Sequence, residues 1–365
     1  MALDFLEYYL MVENTWPSLG PRKYVVIGIL AALIFFFLLS LAVGSINIPL
    51  KDVVKVLIGK MPEKTSWKRI ILMLRLPRAV TAVLAGAALA VSGLQMQTLF
   101  RNPLAGPFIL GINSGASLGV ALVVLGVGAV GATSMLSNLG LFGDFGVVIA
   151  ASIGSGCVLA IVLIVARRVR SAMTLLILGL MFGYATSALV SILLYFSVAE
   201  RIHSYVNWTF GSFAGVTWTQ MRILAPVIIL GLLISHLLVK PLNALLLGEE
   251  YARSMGLTVK RARFFIIAST AILAGAITAF CGPIGFLGVA VPHLCRSLFA
   301  TSDHRVLVPT VSIIGAILAL IADLVAQMPS HHTVLPLNAI TSLIGAPVVT
   351  WVILRRRNLS ASFAS

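Results

Sequence analysis

The chain has 365 residues, of which 59% are hydrophobic and only 10% are charged. A soluble domain carries about 25% charged residues, so the composition excludes an ordinary soluble protein. The net charge of +15 does not indicate nucleic-acid binding, because the basic residues are scattered between apolar stretches, as is typical of membrane-protein loops.

Apolar runs of about 20 residues recur along the chain, and this length crosses the ~30 Å hydrocarbon core of a bilayer. We therefore predict an all-α polytopic membrane protein with about ten transmembrane helices. The predicted spans are residues 24–43, 79–99, 108–129, 146–166, 174–197, 223–243, 264–282, 286–300, 306–327 and 337–354.

The distribution of Lys and Arg predicts the orientation of these spans. With the N-terminus inside, sixteen of the 26 basic residues lie on the inner side, and eight of the other ten lie in residues 44–78. The positive-inside rule then places both termini in the cytoplasm. We expect a cytoplasmic or interfacial segment at 1–23, a single transmembrane domain at 24–354 and a cytoplasmic tail at 355–365.

The outer segment 44–78 is unusually basic. Residues 50–60, LKDVVKVLIGK, predict a short amphipathic helix on the membrane surface. Arg75 and Arg78 have i, i+3 spacing, which predicts one shared helical face. A charge at the bilayer centre costs ~2.5–3.5 kcal/mol, so both are expected at the outer boundary. Whether the lysines of this segment contact an acidic partner or anionic lipid is left open.

Two similar stretches indicate an internal repeat. LAGAALAVSG at 84–93 and LAGAITAFCG at 273–282 match at six of ten positions. They begin two four-span blocks, spans 2–5 and spans 7–10, which start five spans apart and therefore run in opposite directions. Inverted repeats are typical of transporters that alternate access. The alternative is that small residues recur only for close helix packing.

A short charged piece, residues 245–257, connects the sixth and seventh spans. As a helix it carries Leu247, Tyr251 and Met255 on one face, and Gly256 is a plausible helix terminator. The charged residues lie away from that face: Glu249, Glu250 and Arg253. An apolar face with a charged flank is typical of helices that dock into a groove. The alternative is an ordinary interfacial helix exposed to solvent.

Several stretches, taken in order, carry a resemblance to a known family. They are RLPR at 75–78, the small-residue stretch at 85–117, LGEEYARSMGL at 247–257, CGPIGFLGVAVPH at 281–293 and SDHRVLVP at 302–309. From about residue 24 onward the chain resembles the permease subunit of the FecCD/BtuC-type ABC importers, which take up iron siderophores, haem and vitamin B12.

The resemblance implies an assembly in the bacterial or archaeal cytoplasmic membrane. The expected partners are a second copy of the permease, two cytoplasmic ABC ATPase subunits and an extracytoplasmic substrate-binding protein, with lipid around the spans. The chain has no G-x-x-x-x-G-K-[ST] phosphate loop, so ATP and Mg are expected in the separate ATPase, with no cofactor in this chain. We therefore do not expect the chain itself to be an enzyme.

The resemblance also assigns roles to individual residues. Residues 244–263 hold the coupling helices on the ATPase, and the assigned contacts are Leu247, Gly248, Glu249, Glu250, Tyr251, Arg253, Met255 and Gly256. Arg75 and Arg78 dock the binding protein, while Gln327 stands where the vitamin B12 importer has a third arginine. The cytoplasmic gate consists of Asn102 and Leu104 with Ala172 and Met173. The vitamin B12 importer has small hydroxyl residues at the last two positions.

Other polar residues within the spans are interpreted as structural. Asp323 is the only acid within a predicted span, and its position near the outer end suggests a local hydrogen-bonding role. His293 is expected to be structural, and the adjacent His331 and His332 are not expected to bind a metal. The cysteines are expected to be small buried apolar residues: Cys157, Cys281 and Cys295.

The expected substrate is an iron chelate, followed by vitamin B12 and then an oxyanion; this order reflects the breadth of the family. One rival function is an ion-coupled secondary transporter, which would place ion-binding groups near the bilayer midplane. A second rival is a membrane hydrolase that uses a serine of NSGAS at 113–117 with His293 as its base.

Overall fold

The computed structural model describes residues 22–126, 144–168, 172–328 and 334–355, and regular structure in these ranges is helical. The earlier helices are α1 (Arg22–Ala42), α2 (Leu50–Leu57), α3 (Thr65–Arg69), α4 (Leu76–Leu99), α5 (Ile112–Val124), α6 (Asp144–Arg168) and α7 (Ala172–Tyr195). The later helices are α8 (Ala199–Thr209), α9 (Trp218–Leu237), α10 (Val239–Leu246), α11 (Glu249–Ser254), α12 (Val259–Cys281), α13 (Leu287–Phe299), α14 (His304–Gln327) and α15 (Leu337–Arg355).

Ten of these helices correspond in position to the ten predicted spans. Seven are long and apolar enough to cross a bilayer, namely α1, α4 with its N-terminal extension, α6, α7, α9, α12 and α14. Three shorter apolar helices, α5, α13 and α15, account for the other predicted spans. The prediction of an all-α polytopic protein is confirmed. The side of the membrane on which the termini lie stays a prediction, and residues 1–21 and 356–365 lie outside the described residues.

The opening helix of each four-span block packs against helices of the other block. The first block is α4 to α7 and the second is α12 to α15. Helix α4 packs on α13 and α14 of the second block, while α12 packs on α5 and α6 of the first. The opening helices α4 and α12 also contact each other. Each opening helix therefore contacts the second and third helices of the other block. This equivalence between the two blocks matches the predicted repeat.

Small residues allow α4 to lie at the centre of this packing. A Cβ added at Gly86 would overlap the backbone of Gly315 on α14, and one at Gly93 would overlap the backbone of Gly288 on α13. Without a hydrophobic force between helices in lipid, such close backbone approach is a main source of association. The small-residue stretch is therefore a packing surface as well as a repeat marker.

The outer segment contains the predicted surface helix, which spans Leu50–Leu57. Val53 and Val56 are buried on its inner face, while Lys51 is exposed. After it, α3 continues through a π-helical turn, Ile70–Arg75, directly into α4. The second span is therefore longer at its outer end than hydropathy predicted, because the helix continues through Arg75 and Arg78 without interruption.

Candidate functional site

The helix predicted between the sixth and seventh spans is present as α11. Glycines lie at both of its ends, Gly248 with φ +110° and Gly256 with φ +86°. These backbone conformations are strained for residues with a Cβ, so both positions favour glycine. The predicted face of one helix through Leu247, Tyr251 and Met255 is corrected: α11 covers only Glu249–Ser254, so Tyr251 lies within it while Leu247 and Met255 flank it, because the backbone at Gly248 is not helical. All three side chains are uncovered, at 62%, 53% and 55% exposed. We call these three residues the apolar stripe.

Glu249 anchors α11 to the neighbouring helix α12. Its Oε1 accepts a hydrogen bond from the buried Arg263 at 2.5 Å, and its Oε2 lies 3.6 Å from Arg253. The side chain of Glu249 is only 28% exposed, whereas Glu250 is exposed. The expectation that both glutamates face a partner is therefore corrected: Glu249 already has partners in its own chain, because the first turn of α12 brings Arg263 beneath it.

Arg75 lies inside the outer segment and is only 9% exposed. Its Nη1 donates to the carbonyl oxygens of Leu41 and Ala42, both at 2.8 Å, and its Nη2 donates to that of Ile46. Carbonyl groups at a helix C-terminus lack helical partners and carry partial negative charge, which the guanidinium satisfies. The expectation that Arg75 presents an outer docking face with Arg78 is therefore wrong for this residue.

Arg78 forms an ion pair with Asp323 on α14. Its Nε lies 2.9 Å from Oδ2 and 3.1 Å from Oδ1, and its Nη2 donates to Oδ1 at 2.9 Å. Gln327 completes the group, because its Nε2 donates to Asp323 Oδ2 at 3.0 Å. The predicted local hydrogen-bonding role of Asp323 is confirmed. The ion pair between Arg78 and Asp323 was not predicted from the sequence. The predicted placement of both residues at the outer boundary could have indicated the pair.

The loop after α4 is fixed from two sides. Asn102 Oδ1 accepts the backbone N–H of Leu104 at 2.9 Å, and Leu104 itself is exposed. His293 on α13 donates from Nε2 to the carbonyl of Pro103 at 2.7 Å, so this nitrogen carries the proton and does not act as a base. The structural role of His293 is confirmed. At the other predicted gate position Met173 is exposed near the start of α7, while the side chain of Ala172 lies outside the described ones.

A partly buried polar cluster near the same loop was not predicted. It joins α4, α10 and the start of α14 through hydrogen bonds between side chains, and its members are Thr98, Asn243, Asp303 and His304. We call this group the inner polar cluster. The Asp303 carboxylate caps α14, accepting the backbone N–H of Arg305 at 2.9 Å. The Ser-Asp-His run before an apolar stretch is a helix-start signal that pointed to this cap.

The cysteines fit their predicted structural role in two of three cases. Cys281 and Cys295 are buried, whereas Cys157 lies on an exposed surface of α6. The expectation of burial is therefore wrong for Cys157, because no helix of the described ranges covers that face of α6. Within the described ranges, no three His, Cys, Asp or Glu side chains are grouped as a metal site would require.

Comparison with known proteins gives a consistent set of relatives. Residues 32–355 match the FecCD transport family. The vitamin B12 import system permease protein BtuC of Escherichia coli O9:H4 is 38% identical over 288 residues, covering 78% of this chain and 83% of that protein. The corresponding Klebsiella pneumoniae protein is 39% identical over 288 residues, covering 78% and 82%. A solved metal-chelate type ABC transporter in an inward-facing conformation superposes with a TM-score of 0.79 at 29% identity, covering 91% of this chain and 99% of that one.

Proposed function

The chain belongs to the FecCD transport family and is a multi-pass ABC importer permease of the bacterial inner membrane, and we propose that its substrate is vitamin B12. The support is the 38–39% identity to vitamin B12 permeases over most of both chains. This reverses the order expected from the sequence, which placed iron chelates first.

An iron chelate is the second candidate, because the predicted gate differs from that of the vitamin B12 importer. The resemblance implies small hydroxyl residues in that importer where this chain has Ala172 and Met173, and this difference counts against the same substrate. The structural neighbour at TM-score 0.79 is described as a metal-chelate type transporter.

The apolar stripe carries the proposal that this chain works with an ATPase. Three large apolar side chains on and beside the short charged helix α11 stay more than half exposed, namely Leu247, Tyr251 and Met255. Exposed apolar faces of this kind mark partner contacts. We infer that each copy of a homodimer seats α11 in a groove of one cytoplasmic ATPase subunit, which binds ATP and Mg. Glu250 and Arg253 flank the contact, while Gly248 and Gly256 shape its ends.

The outer docking surface is proposed without Arg75. The guanidinium of Arg78 is bound by Asp323 and its side chain is only 18% exposed, so its charge is already paired within the chain. The positive surface is instead supplied by lysines of the outer segment, including exposed Lys51, Lys60 and Lys64, which suit an acidic binding protein. Charge complementarity of this type speeds encounter and fixes register more than it adds affinity.

These contacts support a transport cycle in which motion of the ATPase subunits opens the substrate path to one side of the membrane or the other. A loaded binding protein docks outside, ATP binding closes the ATPase pair inside, and α11 moves with the ATPase surface. That motion reaches the predicted gate at Asn102, Leu104, Ala172 and Met173. Access then alternates between the two sides of the membrane, as inverted-repeat transporters do.

The test is uptake by the complete complex. The tagged chain is purified from its own membranes with its partners, reconstituted into vesicles, and given binding protein loaded with cyanocobalamin or with a ferric hydroxamate. We expect ATP-dependent accumulation of cyanocobalamin. Accumulation of the ferric hydroxamate alone would replace the substrate proposal with the second candidate. Uptake that follows an ion gradient without ATP would overturn the importer assignment.

A further inference from the structure

We propose that the inner polar cluster is the mechanical link between the coupling segment and the gate loop, with Asn243, His304 and Thr98 as positioning residues. The inference rests on the proposed function, since it concerns how the energy of ATP reaches the substrate path. The three residues lie on three different helices, α10, α14 and α4. None of them belongs to the predicted contact or gate residues.

Asn243 holds the start of α14 through both of its side-chain atoms. Its Oδ1 accepts from the backbone N–H of His304 at 2.9 Å and from His304 Nδ1 at 2.8 Å. Its Nδ2 donates to Asp303 Oδ1 at 2.7 Å. One side chain of α10 thus holds the N-cap and the first residue of α14, so a shift of α10 relative to α14 would weaken these bonds.

His304 passes this constraint to α4. The imidazole is fully buried, and its Nε2 lies 2.8 Å from Thr98 Oγ1. Because Asn243 Oδ1 is an acceptor, Nδ1 carries the proton of the neutral ring, and Nε2 then accepts a hydrogen bond from the Thr98 hydroxyl. A hydroxyl has one hydrogen, so the carbonyl oxygen of Leu94, 3.0 Å from Thr98 Oγ1, competes with Nε2 for it. His304 and Thr98 are both buried, so separating these two side chains leaves buried polar atoms unpaired, which is costly.

The two ends of the cluster lie next to the moving parts. Asn243 belongs to α10, which ends at Leu246, just before the exposed Leu247 of the apolar stripe. Thr98 lies in the last turn of α4, immediately before the loop that carries Asn102 and Leu104. The same two regions meet a second time, because a Cβ at Gly248 would lie 3.6 Å from Arg101 Nη1.

Directional hydrogen bonds suit this task better than apolar contacts. Apolar side chains slide past one another with little loss of contact, whereas a hydrogen bond weakens steeply when its angle or length changes. A displacement of α10 by the ATPase therefore moves α14 and the end of α4 together. Removing the hydrogen bond between Thr98 and His304 should therefore preserve ATP hydrolysis but reduce the ATP-dependent movement of the gate loop.

The experiment compares two threonine variants of α4 in the reconstituted complex. Thr98→Val removes the hydroxyl that lies between His304 Nε2 and Leu94 O, the two acceptors that compete for its hydrogen. Thr81→Val is the matched control, because Thr81 is also fully buried on α4 and its hydroxyl donates to Pro77 O within the same helix at 2.7 Å. Thr98→Ser restores the hydroxyl and serves as the rescue variant.

The measured quantity is cyanocobalamin taken up per ATP hydrolysed, or ferric hydroxamate if that is what the wild type accumulates. We expect Thr98→Val to lower this ratio about three- to tenfold, the factor that corresponds to one hydrogen bond, with ATP hydrolysis retained. Thr81→Val and Thr98→Ser should keep the wild-type ratio. If Thr98→Val and Thr81→Val have the same ratio, the link is overturned while the importer assignment stands.

A second readout follows the gate without any substrate. Leu104→Cys is introduced with Cys157→Ser, since Cys157 is an exposed native thiol. Labelling of the introduced thiol by a water-soluble maleimide is compared with and without ATP. We expect the ATP-dependent difference to shrink about three- to tenfold when Thr98→Val is added and to persist with Thr81→Val. An unchanged difference in both would contradict the proposal. If the unmodified complex hydrolyses no ATP, the proposed function itself fails.

Discussion

Arg78 and Asp323 form a buried ion pair that ties the outer end of α4 to the outer end of α14, although they are 245 residues apart in the sequence. The exposed fractions of the two side chains are 18% and 3%. The guanidinium makes three hydrogen bonds to the carboxylate, and Gln327 donates a further one to the same carboxylate. The acid within this span is thus paired with an arginine of the same chain at the outer end of α14, and not placed at the midplane where an ion-coupled transporter would need it.

Breaking this pair on one side should destabilise the protein. Asp323→Asn leaves a largely buried guanidinium without its counter-charge, and we expect a loss of about 3 kcal/mol in the free energy of unfolding. The thermal unfolding midpoint of the detergent-solubilised chain measures the effect.

The exposed pair Arg253–Glu249 provides the control for that measurement. Arg253→Gln removes a charge that is 59% exposed, so its cost should stay below about 1 kcal/mol. Replacing both partners, Arg78→Met with Asp323→Leu, should recover most of the stability, because neither charge is then buried alone. Equal midpoints for Asp323→Asn and Arg253→Gln would contradict the importance of the buried pair.

Arg75 should be irreplaceable by lysine. A lysine has the charge but not the planar fork that meets the carbonyls of Leu41, Ala42 and Ile46. We expect faster amide hydrogen exchange at Val43 and Ile48, whose N–H groups bond within this turn. Arg69→Lys, at an exposed position of the same segment, should leave the exchange unchanged.

Gly44 provides an independent test of the Arg75 site. A Cβ at this position would lie 2.8 Å from Arg75 Nη2, so Gly44→Ala should displace the guanidinium and also raise exchange at Val43 and Ile48. Gly59→Ala is the control, since a Cβ at this position would meet no atom within 4 Å and the strain would be confined to its own backbone. Protection that survives Gly44→Ala would show that the guanidinium is not held as described.

The apolar stripe should govern retention of the ATPase. Tyr251→Glu introduces a charge into the stripe, and we expect the ATPase to be lost from the purified complex while the permease keeps its thermal midpoint. Arg222→Gln makes the same change in net charge at an exposed position near the start of α9, outside residues 244–263, and should retain the ATPase. A complex that tolerates Tyr251→Glu would place the ATPase contact elsewhere.

The two neighbouring glutamates should behave differently. Glu249→Gln weakens the anchor on Arg263, and we expect about 1–3 kcal/mol of destabilisation in the permease alone, measured as a lower thermal midpoint. Glu250→Gln should leave that midpoint unchanged, because the side chain is exposed, and should act only through binding of the ATPase. Identical midpoints for the two variants would show that the Glu249–Arg263 contact contributes no stability.

Local patterns in the sequence determined the helices and their apolar faces. Runs of apolar residues predicted the ten spans, and helical spacing predicted the stripe of Leu247, Tyr251 and Met255 that the structure leaves exposed. These features depend on residues within one or two turns of one another, so no knowledge of the tertiary arrangement was needed.

Only the tertiary structure decided which polar side chains face partners and which are held inside. Arg75 and Arg78 are three residues apart, yet one caps α1 and the other pairs with α14. Likewise, Glu249 meets Arg263, while His304 bridges Asn243 and Thr98. A charged or polar group takes its role from the helix beside it, and that helix is set by small-residue packing between segments far apart in the chain.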